Sequence, residues 1–216
     1  MERHTRTAGR RTAMTTAVLL SLIATVVGSG LVAAQPAIAA PAAADTTTAD
    51  TSATVGADAG RLSGVGDLVV SRLALAEPVA ESKWLSGKPI ADPAREQAVV
   101  DAGVARARAE GVDPDLVSRV LRDQIAASKL VQRGLFTRWT HEPWSAPTTA
   151  PDLTAVRTQI TQIDDDLVDR LAAVAPIAAA PRCAHAVDAE RHRVESGLDS
   201  LQRKGLHVAW SSFCND

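Results

Sequence analysis

The chain has 216 residues, with 23 Lys and Arg against 25 Asp and Glu. That near-balance, slightly acidic, disfavours nucleic acid and anionic membrane as partners, because a polyanion is held by a basic surface. Any cluster of cations within such a chain is therefore local and specific.

The first segment reads as a signal peptide, residues 1–39. Arg3, Arg6, Arg10 and Arg11 open it, an apolar run from Ala13 to Ala34 follows, and Ala37-Ile38-Ala39 supplies a small-x-small cleavage pattern. The run is long enough to anchor in a bilayer, but the cleavage pattern behind it favours removal. The expectation is export to an extracellular or periplasmic space, with no stable membrane anchor after cleavage. Arg10-Arg11 leaves a twin-arginine route open beside the general one. Residues 40–60 are Ala, Thr, Asp, Ser and Gly with little to bury, which predicts a disordered linker. Residues 61–216 then form one domain, long enough for a single core. The leader removes four basic residues and one acidic, leaving 19 against 24 and a net charge of −5.

That domain is predicted to be all-α. It is rich in Ala, Leu, Arg, Asp and Glu, and it shows no alternating strand runs. An acidic residue before Pro marks helix starts at Glu77-Pro78, Asp92-Pro93 and Asp113-Pro114, and Asp152 caps another after the loop EPWSAPTTAP. Pro176 and Pro181 are expected to break the chain before a last helix running from Cys183 to Lys204. Cys183 and Cys214 are the two cysteines; in an oxidising compartment one disulfide is the default. It closes a loop of about 30 residues and is worth roughly 3 kcal/mol.

Helical spacing of about 100° per residue then assigns faces. After Asp113 the apolar stripe is Val117, Val120, Leu121, Ile125, Val131 and Leu135, with Gln124, Ser128 and Gln132 in the same arc. After Asp152 it is Leu153, Val156, Ile160, Ile163, Leu167 and Leu171, with Arg157 inside it. Arg72 shares a face with Val65 and Val69, Lys83 follows Val79 by four, and Arg95 aligns with Ala98, Val99 and Ala102. A lone arginine on an apolar face usually snorkels to water, and a lone inward Gln or Ser is usually a satisfied core hydrogen-bonder. Four inward cations are different: charge is buried only when it is paired. Acidic residues on these stripes are few, namely Asp164 and Glu96. If the cations converge, the missing negative charge comes with a ligand, a small dianion whose carboxylates suit the guanidinium fork. His185 and His192, seven residues apart, do not point to a metal site. The four tryptophans read as core or loop packing.

The order Arg72, Lys83, Arg95, Ser128, Gln132, with the segments EPVAESKW and DPDLVSRVLRDQI, resembles the all-helical chorismate mutases. The leader, the two cysteines and the downstream Arg157 resemble their secreted, actinobacterial subclass, and the likeness runs from Asp67 to Cys214. It implies an isomerase converting chorismate to prephenate by an intramolecular Claisen rearrangement. That reaction needs no cofactor, metal or nucleophile; conformational restraint and electrostatic stabilisation suffice. The resemblance further implies that Arg72 and Arg157 grip the two carboxylates, that Lys83 meets a carboxylate and the ether oxygen, and that Gln132 gives that oxygen a second hydrogen bond. Ser128 lies near a carboxylate, Arg95 is a further pocket arginine, and Glu96 receives the substrate hydroxyl. It also implies a homodimer. Because Arg157 follows the other pocket residues on one chain, each subunit is expected to build its own site. Two positions depart from some secreted members: Gln132 stands where they have glutamate, and Val99 where they have glutamine. The alternatives are a non-catalytic secreted helical module binding a small dicarboxylate, and a cell-surface interaction protein whose charges merely snorkel.

Overall fold

The computed structural model describes residues 46–215, in which seven α-helices and two short 3-10 turns follow one another without a strand. The helices are α1 (Thr46–Ala74), α2 (Ala76–Ser86), α3 (Pro93–Glu110), α4 (Pro114–His141), α5 (Leu153–Ala178), α6 (Cys183–Val194) and α7 (Ser200–Ala209). The leader, residues 1–39, and the start of the expected linker lie outside the described residues. From Thr46 onward the linker region is helical and continues into α1, where a disordered tether is expected. Adding turns to an already nucleated helix costs little. That end packs on little, since a Cβ at Gly56 or Gly60 would meet nothing within 4 Å.

The caps explain most boundaries. Asp92 accepts from the Arg95 N–H with Pro93 behind it, Asp113 accepts from Asp115, and Asp152 accepts from Thr154 and Ala155. Three boundaries differ from expectation. Glu77-Pro78 lies inside α2 rather than capping it, and Leu75 alone separates α1 from α2. Pro78 has no N–H for the Ala74 carbonyl and its ring crowds that group, so the long helix breaks there. Pro176 sits inside α5, near its end, rather than breaking it. The expected last helix is two: a 3-10 turn at Glu195–Gly197 ends α6, and Asp199 restarts the chain with a reciprocal Asp199–Gln202 capping box.

The long α4 is the centre of the packing, touching α1, α2, α3, α5 and α7. Its buried face runs Leu116, Val117, Val120, Leu121, Ala127, Val131, Leu135 and Trp139, against Leu62, Val65, Val69 and Leu73 of α1 and Leu167 and Leu171 of α5. Trp84, Phe136 and Trp139 form an edge-on aromatic cluster between α2 and α4, whereas Trp144 is exposed. Buried charges tie the periphery down. Glu190, fully buried, holds Arg193 through both oxygens at 2.6 and 2.8 Å. Asp123 accepts from the Ser212 N–H and hydroxyl. Cys183 and Cys214 form the disulfide, Cα–Cα 5.7 Å, between the start of α6 and the final turn. Asp123 and the disulfide hold the C-terminal segment to α4 and to the start of α6, and the Asn215 N–H donates to the Ala178 carbonyl at the end of α5.

Candidate active site

The inward polar residues form a cleft walled by α1 to α5. Its lining includes Arg72, Lys83, Arg95, Glu96, Ser128 and Gln132, with Val79, Val99, Ile125 and Ile160 as apolar walls. Six of the seven substrate-site candidates from the sequence are thus brought together.

Arg72 is buried and its guanidinium is already engaged. Nε donates to Asp164 Oδ1 at 2.6 Å, Nη2 to Asp164 Oδ2 at 3.3 Å, and Nη1 to the Gln124 carbonyl at 3.2 Å. A guanidinium has five N–H bonds, so one remains on each of Nη1 and Nη2. Asp164 therefore fixes the side chain without exhausting it. Lys83, in the last turn of α2, is half-buried, and its Nζ donates to the Ile90 carbonyl at 2.5 Å. Burial pushes its ammonium below the ordinary lysine range; Glu96 and Asp92 oppose the shift, while Lys129 and Arg157 add to it.

Two of the four cations stand elsewhere than the inward pattern implies. Arg95 is exposed, because the core face of α3 is Val100, Gly103 and Ala107 and not the Ala98–Val99–Ala102 side. That side lines a second groove, against Thr161, Asp164 and Asp165 of α5, and Arg95 borders both this groove and the cleft. Arg157 is exposed too and lies outside the cleft lining, on a surface depression with Thr154, Thr158 and Thr161. It sits one step round α5 from the buried Val156, yet its charge reaches Lys83. Gln124 turns the other way, donating to the Ala209 carbonyl and joining α4 to α7.

Gln132 is 3 % exposed; its Nε2 donates to Ser128 Oγ at 3.0 Å, and its Oε1 has no partner. Its amide is the cleft's unsatisfied buried polar group, and such a group is expensive unless something arrives to pair it. Turning the amide by 180° makes Oε1 the acceptor for the Ser128 hydroxyl and points two N–H bonds into the cleft.

Nothing in the sequence marks Lys129, which directly follows Ser128 on α4. In the fold its Nζ donates to Glu96 Oε2 at 2.7 Å. Glu96 Oε1 accepts from the Asp92 N–H at 3.1 Å. Burial alone would raise the Glu96 carboxyl, but these two hydrogen bonds and the Lys129 and Lys83 charges hold it below its usual range. The lining thus carries four cations, Arg72, Lys83, Arg95 and Lys129, against the carboxylates Asp92 and Glu96. Asp164, paired with Arg72, offsets one of these cations as well, so the excess is one positive charge, the sign that suits an anionic ligand. The cleft holds fixed amide, ammonium and guanidinium donors, and its lining has no cysteine or histidine. It is built for binding and charge stabilisation rather than nucleophilic attack.

The family description "Chorismate mutase type II" matches residues 65–133, which contain every cleft candidate except Arg157. Secreted chorismate mutases of Mycolicibacterium smegmatis and Mycobacterium tuberculosis are 36 % and 38 % identical. The first alignment covers 73 % of this chain and 88 % of the relative; the second covers 68 % and 75 %. A chorismate mutase structure from Burkholderia thailandensis superposes with a TM-score of 0.68 at 39 % identity, over 71 % of this chain and 99 % of that one. With this identity spread over most of both chains, and with the helical order and the cationic cleft described above, the chain belongs to the chorismate mutase type II family.

Proposed function

We propose that this chain is an exported chorismate mutase that binds chorismate in the α1–α5 cleft and rearranges it to prephenate. The observation that carries the reading is the conjunction of a net positive cleft with a buried Gln132 amide whose Oε1 has no partner, in the same lining as Lys83. Chorismate is a dianion, and its rearrangement moves partial negative charge onto the breaking ether oxygen. The two free N–H bonds of Arg72 grip one carboxylate. Arg157, brought in from the rim by a side-chain rotation, grips the other. Lys83 leaves the Ile90 carbonyl to reach the ether oxygen and a carboxylate, and Gln132, its amide turned against Ser128, donates the second hydrogen bond to that oxygen. Arg95 closes the mouth and Glu96 accepts the substrate hydroxyl. The ligand is held folded near its reactive shape, and the donors are in place before charge develops. A module that only binds a dicarboxylate would need the arginines but not Lys83 and Gln132 together.

Relatives named as secreted support export, and the basic, apolar and small-residue order of residues 1–39 supports a cleaved signal peptide. Arg157 follows the other site residues on the same chain, which supports a separate site in each subunit of a homodimer. The deciding experiment is prephenate formation from chorismate by the purified domain. Arg72→Ala is expected to lower kcat/KM by at least about 100-fold, roughly 3 kcal/mol of transition-state stabilisation. A folded wild-type domain that leaves chorismate unchanged refutes the proposal.

A further inference from the structure

Lys129 is a cleft cation that the chemistry above does not use. It lies on α4 directly after Ser128 and holds Glu96 Oε2 at 2.7 Å, while the Asp92 N–H holds Oε1 at 3.1 Å. Both carboxylate oxygens are therefore fixed, one by the start of α3 and one across the cleft from α4. Lys83 faces the same space. Its ammonium donates to a backbone carbonyl, and among the described residues no carboxylate lies within 4.0 Å of it. Yet Glu96 is near enough for its charge to act on Lys83, ahead of Asp92 in effect. Lys83 is half-buried, and Lys129 and Glu96 are about a quarter exposed. An ion pair gains strength as its surroundings exclude water, so a Glu96 carboxylate released from Lys129 is drawn toward Lys83.

We propose that Lys129 is a positioning residue, holding Glu96 away from Lys83 so that the Lys83 ammonium stays free for the substrate. The inference rests on the reading of Lys83 as the group that meets the ether oxygen. In this arrangement each Glu96 oxygen accepts one hydrogen bond and keeps acceptor capacity for a ligand, but its charge is balanced on the α4 side. Without Lys129, the carboxylate and Lys83 neutralise each other, and a substrate held by the arginines meets a Lys83 ammonium that no longer serves the ether oxygen.

The test is a double-mutant cycle on the purified mature chain, with kcat and KM measured for chorismate conversion. The variants are Lys129→Met, Glu96→Gln, the two combined, and Lys129→Arg. Lys129→Met keeps the aliphatic stem against the cleft wall. It is expected to lower kcat about 10-fold in the wild-type background but less than about 2-fold in the Glu96→Gln background, where no carboxylate is left to capture Lys83. Lys129→Arg, still a cation within reach of Glu96, is expected to retain most of kcat. Equal losses in both backgrounds would show that Lys129 acts as an independent charge, and a change in KM alone would show that it only attracts the dianion. Either result, or a Lys129→Met variant equal to wild type, overturns the inference while leaving the chorismate reading intact. An inactive wild-type chain overturns both.

Discussion

The Arg72–Asp164 pair offers a direct measure of how the cleft is built. Asp164→Ala removes both acceptors from a guanidinium whose side chain is 6 % exposed, and leaves it only the Gln124 carbonyl. Breaking a buried ion pair from one side costs about 3–5 kcal/mol, because the remaining charge is uncompensated. The surviving bond and the adjoining cleft, through which water can reach Arg72, place the value near about 3 kcal/mol. In a domain of this size each kcal/mol shifts Tm by about 2–4 °C, so a fall of roughly 6–12 °C is expected in thermal unfolding followed by circular dichroism. Asp164→Asn keeps an oxygen acceptor for Nε and loses the charge, so its fall should be about half as large. Arg72→Leu combined with Asp164→Leu should recover much of the loss, since replacing a buried pair by apolar side chains is often neutral or better. A Tm within about 2 °C of wild type for Asp164→Ala would refute the reasoning, by showing that solvent already satisfies Arg72.

The pH profile should be set by groups around the ether oxygen. Glu96 is ionised below the ordinary carboxylate range, and the Gln132 amide does not titrate, so kcat/KM should be flat from about pH 5 to pH 8. Above that, the Lys83 ammonium is lost as pH rises through its lowered pKa, and activity should decline earlier than an ordinary lysine would dictate; Gln132→Glu should turn the plateau into an acid-favoured profile. The Cys183–Cys214 link spans 31 residues and should contribute about 3–4 kcal/mol. Replacing both cysteines by alanine should lower Tm markedly while leaving the 25 °C rate near wild type, because neither residue lines the cleft. Gly66→Ala puts a Cβ 1.8 Å from Oε1 of the buried, Arg193-clamped Glu190, and should destabilise by about 2–3 kcal/mol in denaturant unfolding. Gly56→Ala, with nothing within 4 Å, should be neutral or slightly stabilising.

Sequence alone determined the features that depend on near neighbours in the chain. Asp before Pro sets the starts of α3 and α4 because a cap and a fixed φ act within one turn. The α4 stripe is legible because a long amphipathic helix has one period and one buried side. The spacing of Arg72, Lys83, Ser128 and Gln132 marks the cleft for the same reason: each lies on a helix face whose apolar neighbours announce it. The misread features are those in which a distant partner decides. Arg95 shares an apolar-looking face of Ala98, Val99 and Ala102, yet Val100, Gly103 and Ala107 are what α4 covers, so that face is rim. Arg157 is one residue from the buried Val156, and a 100° step takes it to solvent. Lys129 is one of four lysines, with nothing to single it out until α3 brings Glu96 within 2.7 Å, and Asp164 becomes the partner of Arg72 across 92 residues. Periodicity says which side of a helix is apolar, but which helix covers it and which charge meets which are set by packing in three dimensions, since Coulomb and hydrogen-bond energies depend on distances that sequence separation does not encode.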